Sequence, residues 1–331
     1  MKPYDVYGIG NAMVDTEYQV SESFLADTKR TKGVMTLIGE EERRNLIHTL
    51  EKEHEFEVIK QAGGGAAANT MVIISQLGGE AFYSCKVAND AIGDFFVKDL
   101  KEAGIDTNLS DEREPGLTGQ CISMVTPDAE RTMATSLGIT NFLSTSDLNP
   151  EALRSSSRLY IEGYLASSKT GFEAALEAQA IAKSAAVDIA LTLSDPEIVE
   201  SFLPNFHRML DFGVDLLFCN HEEAKIITGS DSIGDCARTL KQMCSSFIIT
   251  CGEEGSLGYD GVEFTRTDSV STQAIDTTGA GDIFAGAFLF SLSRGKGFRE
   301  AAELGHRSAS MLVAQFGARL SQSTVSQLLK K

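Results

Sequence analysis

The sequence predicts an α/β fold: a mainly parallel central sheet with helices on both faces, and a small β-sheet projecting from it. Three observations carry this. Short apolar runs of strand length alternate with helix-length amphipathic segments over most of the 331 residues. Hydrophobic residues make up 42% and charged residues 23%, ordinary values for a globular chain with a sizeable core. Two stretches, about 12–38 and about 115–137, break the alternation with short segments that have no long helix between them.

Taken in order, Tyr4–Gly10 reads as a buried strand, and Ala67–Leu77 as a helix that stops at Gly78-Gly79. Ala81–Val87 is strand-like again, and Ile92–Ala103 is an amphipathic helix ended by Gly104. Leu159–Ile161, Val187–Leu191, Asp215–Cys219 and Phe247–Thr250 are further short apolar runs, separated by helical segments such as Phe172–Ala185 and Ile233–Met243. Val34–Ile38, Gln120–Thr126 and Arg131–Ser136 supply strands for the small sheet, which is placed to act as a lid. Repeats, low-complexity tracts and linker-like runs are lacking, so residues 1–331 read as a single domain with an appendage.

The net charge of −18 speaks against nucleic acid and anionic membranes as partners. A bound polyphosphate would need backbone NH groups, a cation or a few basic side chains. Six cysteines (Cys85, Cys121, Cys219, Cys236, Cys244 and Cys251) lie scattered with no C-x-x-C pair, mostly in apolar runs, as reduced structural thiols of a cytoplasmic protein would. The chain opens Met1-Lys2-Pro3-Tyr4-Asp5 and enters a strand at once, so no secretory leader is expected. No apolar stretch reaches the roughly 18 residues that a membrane span needs.

Two glycine-rich segments open helices. Asp276-Thr277-Thr278-Gly279-Ala280-Gly281-Asp282 runs into the apolar helix Ile283–Ser293. Such a start leaves NH groups pointing out of the positive end of the helix dipole, and small residues let a phosphate approach them. Asp282 would stand in the first turn, where a carboxylate either accepts the proton of an attacking hydroxyl or simply favours the helix start. In Gly63-Gly64-Gly65-Ala66-Ala67-Ala68-Asn69, Gly64 and Gly65 can expose backbone to a polyhydroxy substrate, with the Asn69 amide beside them. The same segment also fits a loose G-x-G-x-x-A dinucleotide pattern after a short strand Val58–Gln61, or plain helix–sheet packing by small residues. Neither a Walker A motif nor a protein-kinase signature is present.

Together, Gly64-Gly65 with Asn69 and D-T-T-G-A-G-D-x-F-x-G at 276–286 resemble the ribokinase/PfkB carbohydrate kinases, over nearly the whole chain and in the expected order. Gly8–Asp15 looks like that family's first strand and substrate-binding Asp. Lys32–Leu37 and Glu130–Met133 look like its lid strands, Asn220-His221-Glu222-Glu223 like its N-x-x-E motif, and Thr250–Ser256 like its nucleotide-side loop. The strings G-N-A-M-V-D, K-G-V-M-T-L and Gly317-Ala318-Arg319 are most similar to the adenosine-kinase-like branch, although Thr278 replaces an Asn found in several adenosine kinases.

The resemblance implies a ribokinase-like three-layer sandwich and transfer of the γ-phosphoryl group of ATP to a primary hydroxyl of a sugar or nucleoside. It implies Asp282 as base, Gly279, Ala280 and Gly281 as anion hole, and Asp15 and Asn69 as ligands of sugar hydroxyls. Asn11 is either a substrate ligand or a turn residue, and Arg131 either reaches substrate or is solvated. Tyr164, after Glu162-Gly163, either stacks on a ring or belongs to the core or rim. Asn220, Thr250, Gly252 and Gly255 are implied at the nucleotide, with Glu223 on Mg²⁺ through water; Asn220 and Glu223 are also spaced as a capping box. Asp276, Thr278, Gly317 and Ser321 are implied at a monovalent-cation site such as one for K⁺, unless Asp276 only orders its loop. The lid can close one site or pair between subunits, so monomer and homodimer both stand. Two readings compete: a sugar- or nucleotide-binding module without turnover, and a dinucleotide-dependent oxidoreductase.

Overall fold

The computed structural model describes residues 3–128 and 130–329; Met1 and Lys2, which open the sequence, lie outside them. The strands are β1 (Tyr4–Ile9), β2 (Met13–Gln19), β3 (Met35–Leu37), β4 (Val58–Gly64), β5 (Ala81–Ser84), β6 (Gly119–Val125) and β7 (Arg131–Ser136). They continue with β8 (Ser156–Ile161), β9 (Asp188–Thr192), β10 (Leu216–Asn220), β11 (Ser246–Thr250), β12 (Ser256–Tyr259) and β13 (Phe264–Thr267). Eight form the main sheet in the order β13-β12-β11-β10-β9-β8-β1-β5. The six from β11 to β5 run parallel, and the β12 and β13 hairpin closes one edge antiparallel.

From β1 the chain first builds outward to β5 and later builds the other way from β8. The carboxyl ends of β1 and β8 therefore flank a topological switch point, where open α/β sheets leave a crevice. Apolar helices cover both faces, with one core cluster around Leu159, Leu191 and Phe247 and another around Met71, Tyr83 and Phe288. The predicted helix over Ile233–Met243 is found with those bounds, and the predicted strand over Ala81–Val87 stops earlier, at Ser84. All six cysteines are free thiols. No helix among the described residues is long and apolar enough to cross a membrane.

The other five strands form the small sheet, ordered β3-β7-β6-β2-β4. Both stretches that break the sequence rhythm contribute to it, and β4 joins from beyond them. That strand pairs antiparallel with β2, Met13 opposite Gly64 and Asp15 opposite Ala62. Gly63–Ala68 is therefore not the turn of a parallel βαβ unit, which removes the structural basis of the dinucleotide reading. Strand alternation gives the small sheet two faces. Val14, Thr16 and Tyr18 are buried on one; Tyr18 packs with Phe24, Leu25, Leu46 and Leu50 from the short segments beside it, and Val14 joins the main core around Met71. Met13, Asp15 and Glu17 are half-buried on the opposite face.

Two helices of the main domain fix the position of the site. Ala66–Gln76 packs against Ala280–Ser293, which is buried nearly all round, as its unbroken apolar sequence requires. Gly286 lets them approach: a Cβ there would stand 2.6 Å from the carbonyl oxygen of Thr70 and collide with the Ile73 methyl. Thr70 Oγ1 also donates to the carbonyl of Asp282 at 3.2 Å. Replacing Gly286 by Ala should thus destabilise the protein by about 1–3 kcal/mol through overpacking, outweighing the roughly 1 kcal/mol that Ala gains in helix propensity. Urea denaturation reads this directly, and an unchanged or higher midpoint would refute the packing argument.

Candidate active site

A cavity of about 480 Å³ opens between the carboxyl ends of the main strands and the half-buried face of the small sheet. Its floor is the start of the helix Ala280–Ser293. Gly279 is the N-cap residue with φ +78°, a left-handed conformation, and its α-carbon lies so close to Ala318 that a Cβ would stand 2.9 Å from the Ala318 carbonyl oxygen. The amide of Ala280 closes a turn onto Thr277 O at 3.2 Å. Those of Gly281 and Asp282 lie in the first turn, where no carbonyl four residues back belongs to the helix. Gly281 is the informative one. Its φ is not positive and an added Cβ would meet nothing within 4 Å, so neither backbone nor packing explains the glycine.

Asp282 projects beside these amides and lines the cavity. Asn69 Nδ2 donates to its Oδ2 at 3.1 Å. Burial among protein atoms pushes the carboxyl up to about 7; the Asn69 hydrogen bond and Arg319 pull it down, while the charge of Glu162 pushes it up. Asp15 lines the opposite wall from β2. Gly64 makes room for it, since a Cβ there would lie 2.9 Å from Asp15 Oδ2. Burial raises the Asp15 carboxyl to about 6, against the lowering field of Arg319. Gly65 has φ +100°, and a side chain there would run into the carbonyl of Asn11.

At the carboxyl end of β10, the expected capping box is present. Asn220 Oδ1 accepts from Glu223 N at 2.9 Å, and Glu223 Oε2 accepts from Asn220 N at 2.9 Å. Glu223 is buried and its carboxyl is pushed up to about 7 by that burial, with Asp195 adding to the rise over the lowering Asn220 bond. It has no cationic partner among the described residues, and it lines the cavity. A hydrated divalent cation between this carboxylate and phosphate oxygens fits the donor set and would relieve the buried charge.

The structure brings Asp15, Gly65, Asn69, Tyr164, Asn220, Glu223, Thr250, Thr278, Gly279, Ala280, Gly281 and Asp282 to one cavity. Other expected site residues stand outside its lining. Asn11 spends its side chain on the protein, donating to Glu162 at 3.0 Å and accepting from Thr140 at 3.3 Å. Gly252 and Gly255 have φ of +56° and +84° in the turn that joins β11 to β12, a backbone reason for both glycines. Ser321 caps the helix Gln322–Leu328 by accepting from Thr324 N. Arg131 meets Glu17 at 3.1 Å and Asp276 at 3.3 Å, with its guanidinium 4.9 Å from the centre of the Phe316 ring. Asp276 also accepts from Gly317 N at 2.9 Å and Thr278 N at 3.0 Å. Against the effect of burial, these amides and Arg131 hold its carboxyl below the usual value.

Glu162 is the residue that sequence reasoning missed. At 1% exposure it accepts from Asn11 N, Asn11 Nδ2 and Ala67 N, at 3.3, 3.0 and 2.8 Å. It thereby ties the turn after β1 to the start of the Asn69 helix. A Cβ on Gly10 would stand 2.9 Å from that of Glu162, which accounts for the glycine. The available signal was an acid placed directly after the apolar run Leu159–Ile161.

Residues 33–325 match the family described as pfkB family carbohydrate kinase. The chain is 30% identical to a mouse ribokinase over 249 residues, 72% of this chain and 73% of that one. Among solved structures it is similar to an adenosine kinase from Sinorhizobium meliloti, with 32% identity, a TM-score of 0.85 and 99% of both chains covered. It is equally similar to a probable sugar kinase protein from Rhizobium etli, at 30% identity and a TM-score of 0.85, over 100% of this chain and 99% of that one. The ribokinase-like α/β fold predicted from the sequence is the fold of these structures.

The raised Asp282 carboxyl has a consequence for stability. Its folded value lies above its free value of 3.8, so its contribution is fully present below about pH 4 and is lost as pH rises through 7. Asp282→Asn should therefore be more stable than the parent at pH 8, by about 1–3 kcal/mol after allowance for cavity water, with a much smaller gain at pH 5. Melting temperatures of the two proteins at both pH values test this; equal gains at pH 5 and 8 would contradict it.

Proposed function

The chain belongs to the pfkB family of carbohydrate kinases and is a phosphotransferase, and from that premise we propose that it transfers the γ-phosphoryl group of ATP to a primary hydroxyl of a nucleoside or sugar. The observation that carries this is the Asp282 carboxylate standing beside first-turn amides on the floor of a cavity whose opposite wall holds Asp15. In the proposed step the acceptor oxygen forms a bond to the γ-phosphorus as the bond to the ADP oxygen breaks, and the hydroxyl proton passes to Asp282. The amides of Gly281 and Asp282 meet the negative charge on the transferred group. A base held close to 7 ionises without a large driving force either way, which suits proton transfer at neutral pH.

Asp15 accepts from sugar hydroxyls, and Asn69 offers an amide hydrogen beside it. Met13, Cys121 and Thr135 on the small sheet line the acceptor end with no charge beyond Asp15, a surface suited to a sugar ring or a base. Glu223 would hold Mg²⁺ through water, and the ion would supply charge neutralisation of the phosphates. Asp276 already has Arg131 as counter-charge, so the reading needs no monovalent cation. The two sheets act as one unit, the small sheet as the lid that excludes water from the acceptor.

Adenosine and ribose are the first acceptors to test, with ATP and Mg²⁺, by coupled detection of ADP. ADP should form only when an acceptor is present; ADP formed at the same rate without any acceptor, or from no acceptor in a nucleoside and sugar set, would refute the reading. Asp282→Asn should lower kcat by about 10²-fold or more, and retention of a tenth of the activity would remove Asp282 from the role of base. Gly281→Ala should keep the parental stability, because its Cβ meets open space, yet lose about tenfold or more in kcat, because the methyl enters the phosphoryl position. A fully active Gly281→Ala would mean that no ligand approaches that backbone.

A further inference from the structure

The other end of the Asn69 amide leads away from the cavity. Asn69 Oδ1 accepts from Arg319 Nε at 2.9 Å, and Arg319 Nη1 pairs with Asp99 Oδ2 at 2.5 Å on the helix Ala91–Glu102. Since Asn69 Nδ2 donates to Asp282, four side chains form one file: Asp99, Arg319, Asn69, Asp282. Gly63, the glycine that the site itself leaves unexplained, makes room for the file. A Cβ there would collide with the Asp99 carboxylate and stand 2.9 Å from Arg319 Nη2.

We propose that Arg319 is a positioning residue for phosphoryl transfer: it fixes the rotation of the Asn69 amide so that Nδ2 faces Asp282, and its charge keeps that carboxylate in the proton-accepting form. The proposal rests on the reading of Asp282 as base. The argument is one of donors and acceptors. A guanidinium has only donors and an ionised carboxylate only acceptors, so an amide between them has one satisfying orientation. Rotated by half a turn, it would set NH₂ against guanidinium and oxygen against carboxylate, losing both bonds at once. An amide beside Asp282 without Arg319 would be free to turn its oxygen towards a protonated Asp282, which stabilises the form that cannot act as base.

The charges facing Asp282 are unequal. Glu162, on the loop after β8, raises its carboxyl, and Arg319 is the one cation among the described residues that bears on it. Tyr160 on β8, Tyr83 on β5 and Tyr164 after β8 share the same field as neutral phenols, their ionisation suppressed by burial. Arg319 also heads the groups that lower Asp15, ahead of Lys60 and Arg131. One guanidinium thus serves both carboxylates of the cavity. Its planar fork does what a lysine cannot, reaching the Asn69 oxygen and Asp99 with separate NH groups in fixed geometry.

The test compares Arg319→Met and Arg319→Lys with the parent in two ways. The first is the pH profile of kcat for the acceptor that the parent turns over. Arg319→Met should move the acid limb up by about half a pH unit or more, cost about threefold or more in kcat at pH 6, recover towards the parental rate at high pH, and leave KM for ATP within about twofold. Arg319→Lys should move the limb in the same direction by less, because it keeps the charge and loses the fork. The second readout needs no turnover. In protein labelled with carboxyl-¹³C aspartate, the Asp282 resonance, identified by its absence in Asp282→Asn, should titrate at higher pH in Arg319→Met than in the parent. If the parent transfers no phosphoryl group but this titration shifts, the kinase reading fails and the coupling from Arg319 to Asp282 stands. If the parent is active and both the limb and the resonance stay in place in both variants, with at most a lower melting temperature, Arg319 only fastens its loop to Asp99 and the proposal is overturned.

Discussion

On the proposed reading, the site depends on keeping a carboxylate ionised inside protein, in a chain whose net charge is already −18. Burial alone drives Asp282 towards its neutral form. Opposing it are the positive end of a helix dipole, one amide hydrogen from Asn69 and one guanidinium beyond that amide. The dipole is that of its own helix, whereas the amide and the guanidinium reach Asp282 because the helices Ala66–Gln76 and Ala280–Ser293 touch at Gly286. The packing of two apolar helices and the protonation state of one side chain are thus a single problem. A methyl group at residue 286 would push apart elements that carry the amide on one side and the carboxylate on the other.

Legibility in the sequence followed the range of the interaction. The Asp276–Asp282 turn, the Asn220 and Glu223 capping box and the glycines before Asn69 are local, so spacing along the chain was enough to find them. The helices and parallel strands that were named lie within a few residues of their observed bounds for the same reason, while helices such as Leu203–Phe212 and Phe298–Val313 went unnamed. Glu162, which bridges residues 95 and 151 positions away, could not be found this way. Nor could Arg319, which acts on Asn69 across 250 residues. Strand β4 was read over Val58–Gln61 but not assigned to the small sheet, because its apolar residues Val58 and Ile59 face solvent and its partner β2 lies far upstream. Gly252, Gly255 and Ser321 resembled ligand-binding residues, yet turn geometry and a helix cap account for them without any ligand.

The small sheet illustrates how strand alternation divides labour. Much of its buried side, Tyr18, Ile122, Met124 and Ala134, belongs to a core of its own with Phe24, Leu46 and Leu50. The other side is then free to present Asp15 to the cavity and to carry Glu17 and Arg131 towards the main domain. Arg131 joins the two parts, because Asp276, which it meets, lies three residues before Gly279. On the proposed reading, any movement of the sheet that breaks this pair also leaves the loop before the anion hole without its counter-charge. Acceptor binding and the order of the phosphate-binding turn are then coupled through one side chain.

The same electrostatics bear on how a nucleotide enters. Asp15, Glu162, Glu223 and Asp282 surround the cavity or its walls, and burial raises all four, to between about 6 and about 7. Desolvation is the leading cause for each, so each of these carboxylates would gain from a cation brought within reach. Among the described residues, Arg319, Lys60 and Arg131 bear on Asp15, only Arg319 on Asp282, and no cation on Glu223 or Glu162. A free polyphosphate would add several negative charges on the side of Glu223, where the balance is worst. On the proposed reading, its metal complex would bring a cation to that carboxylate, and the first-turn amides would take the terminal phosphate. On this reading, the acids that seem to work against a nucleotide select the metal-bound form over the free one, and the few basic groups are left to govern the base and the acceptor.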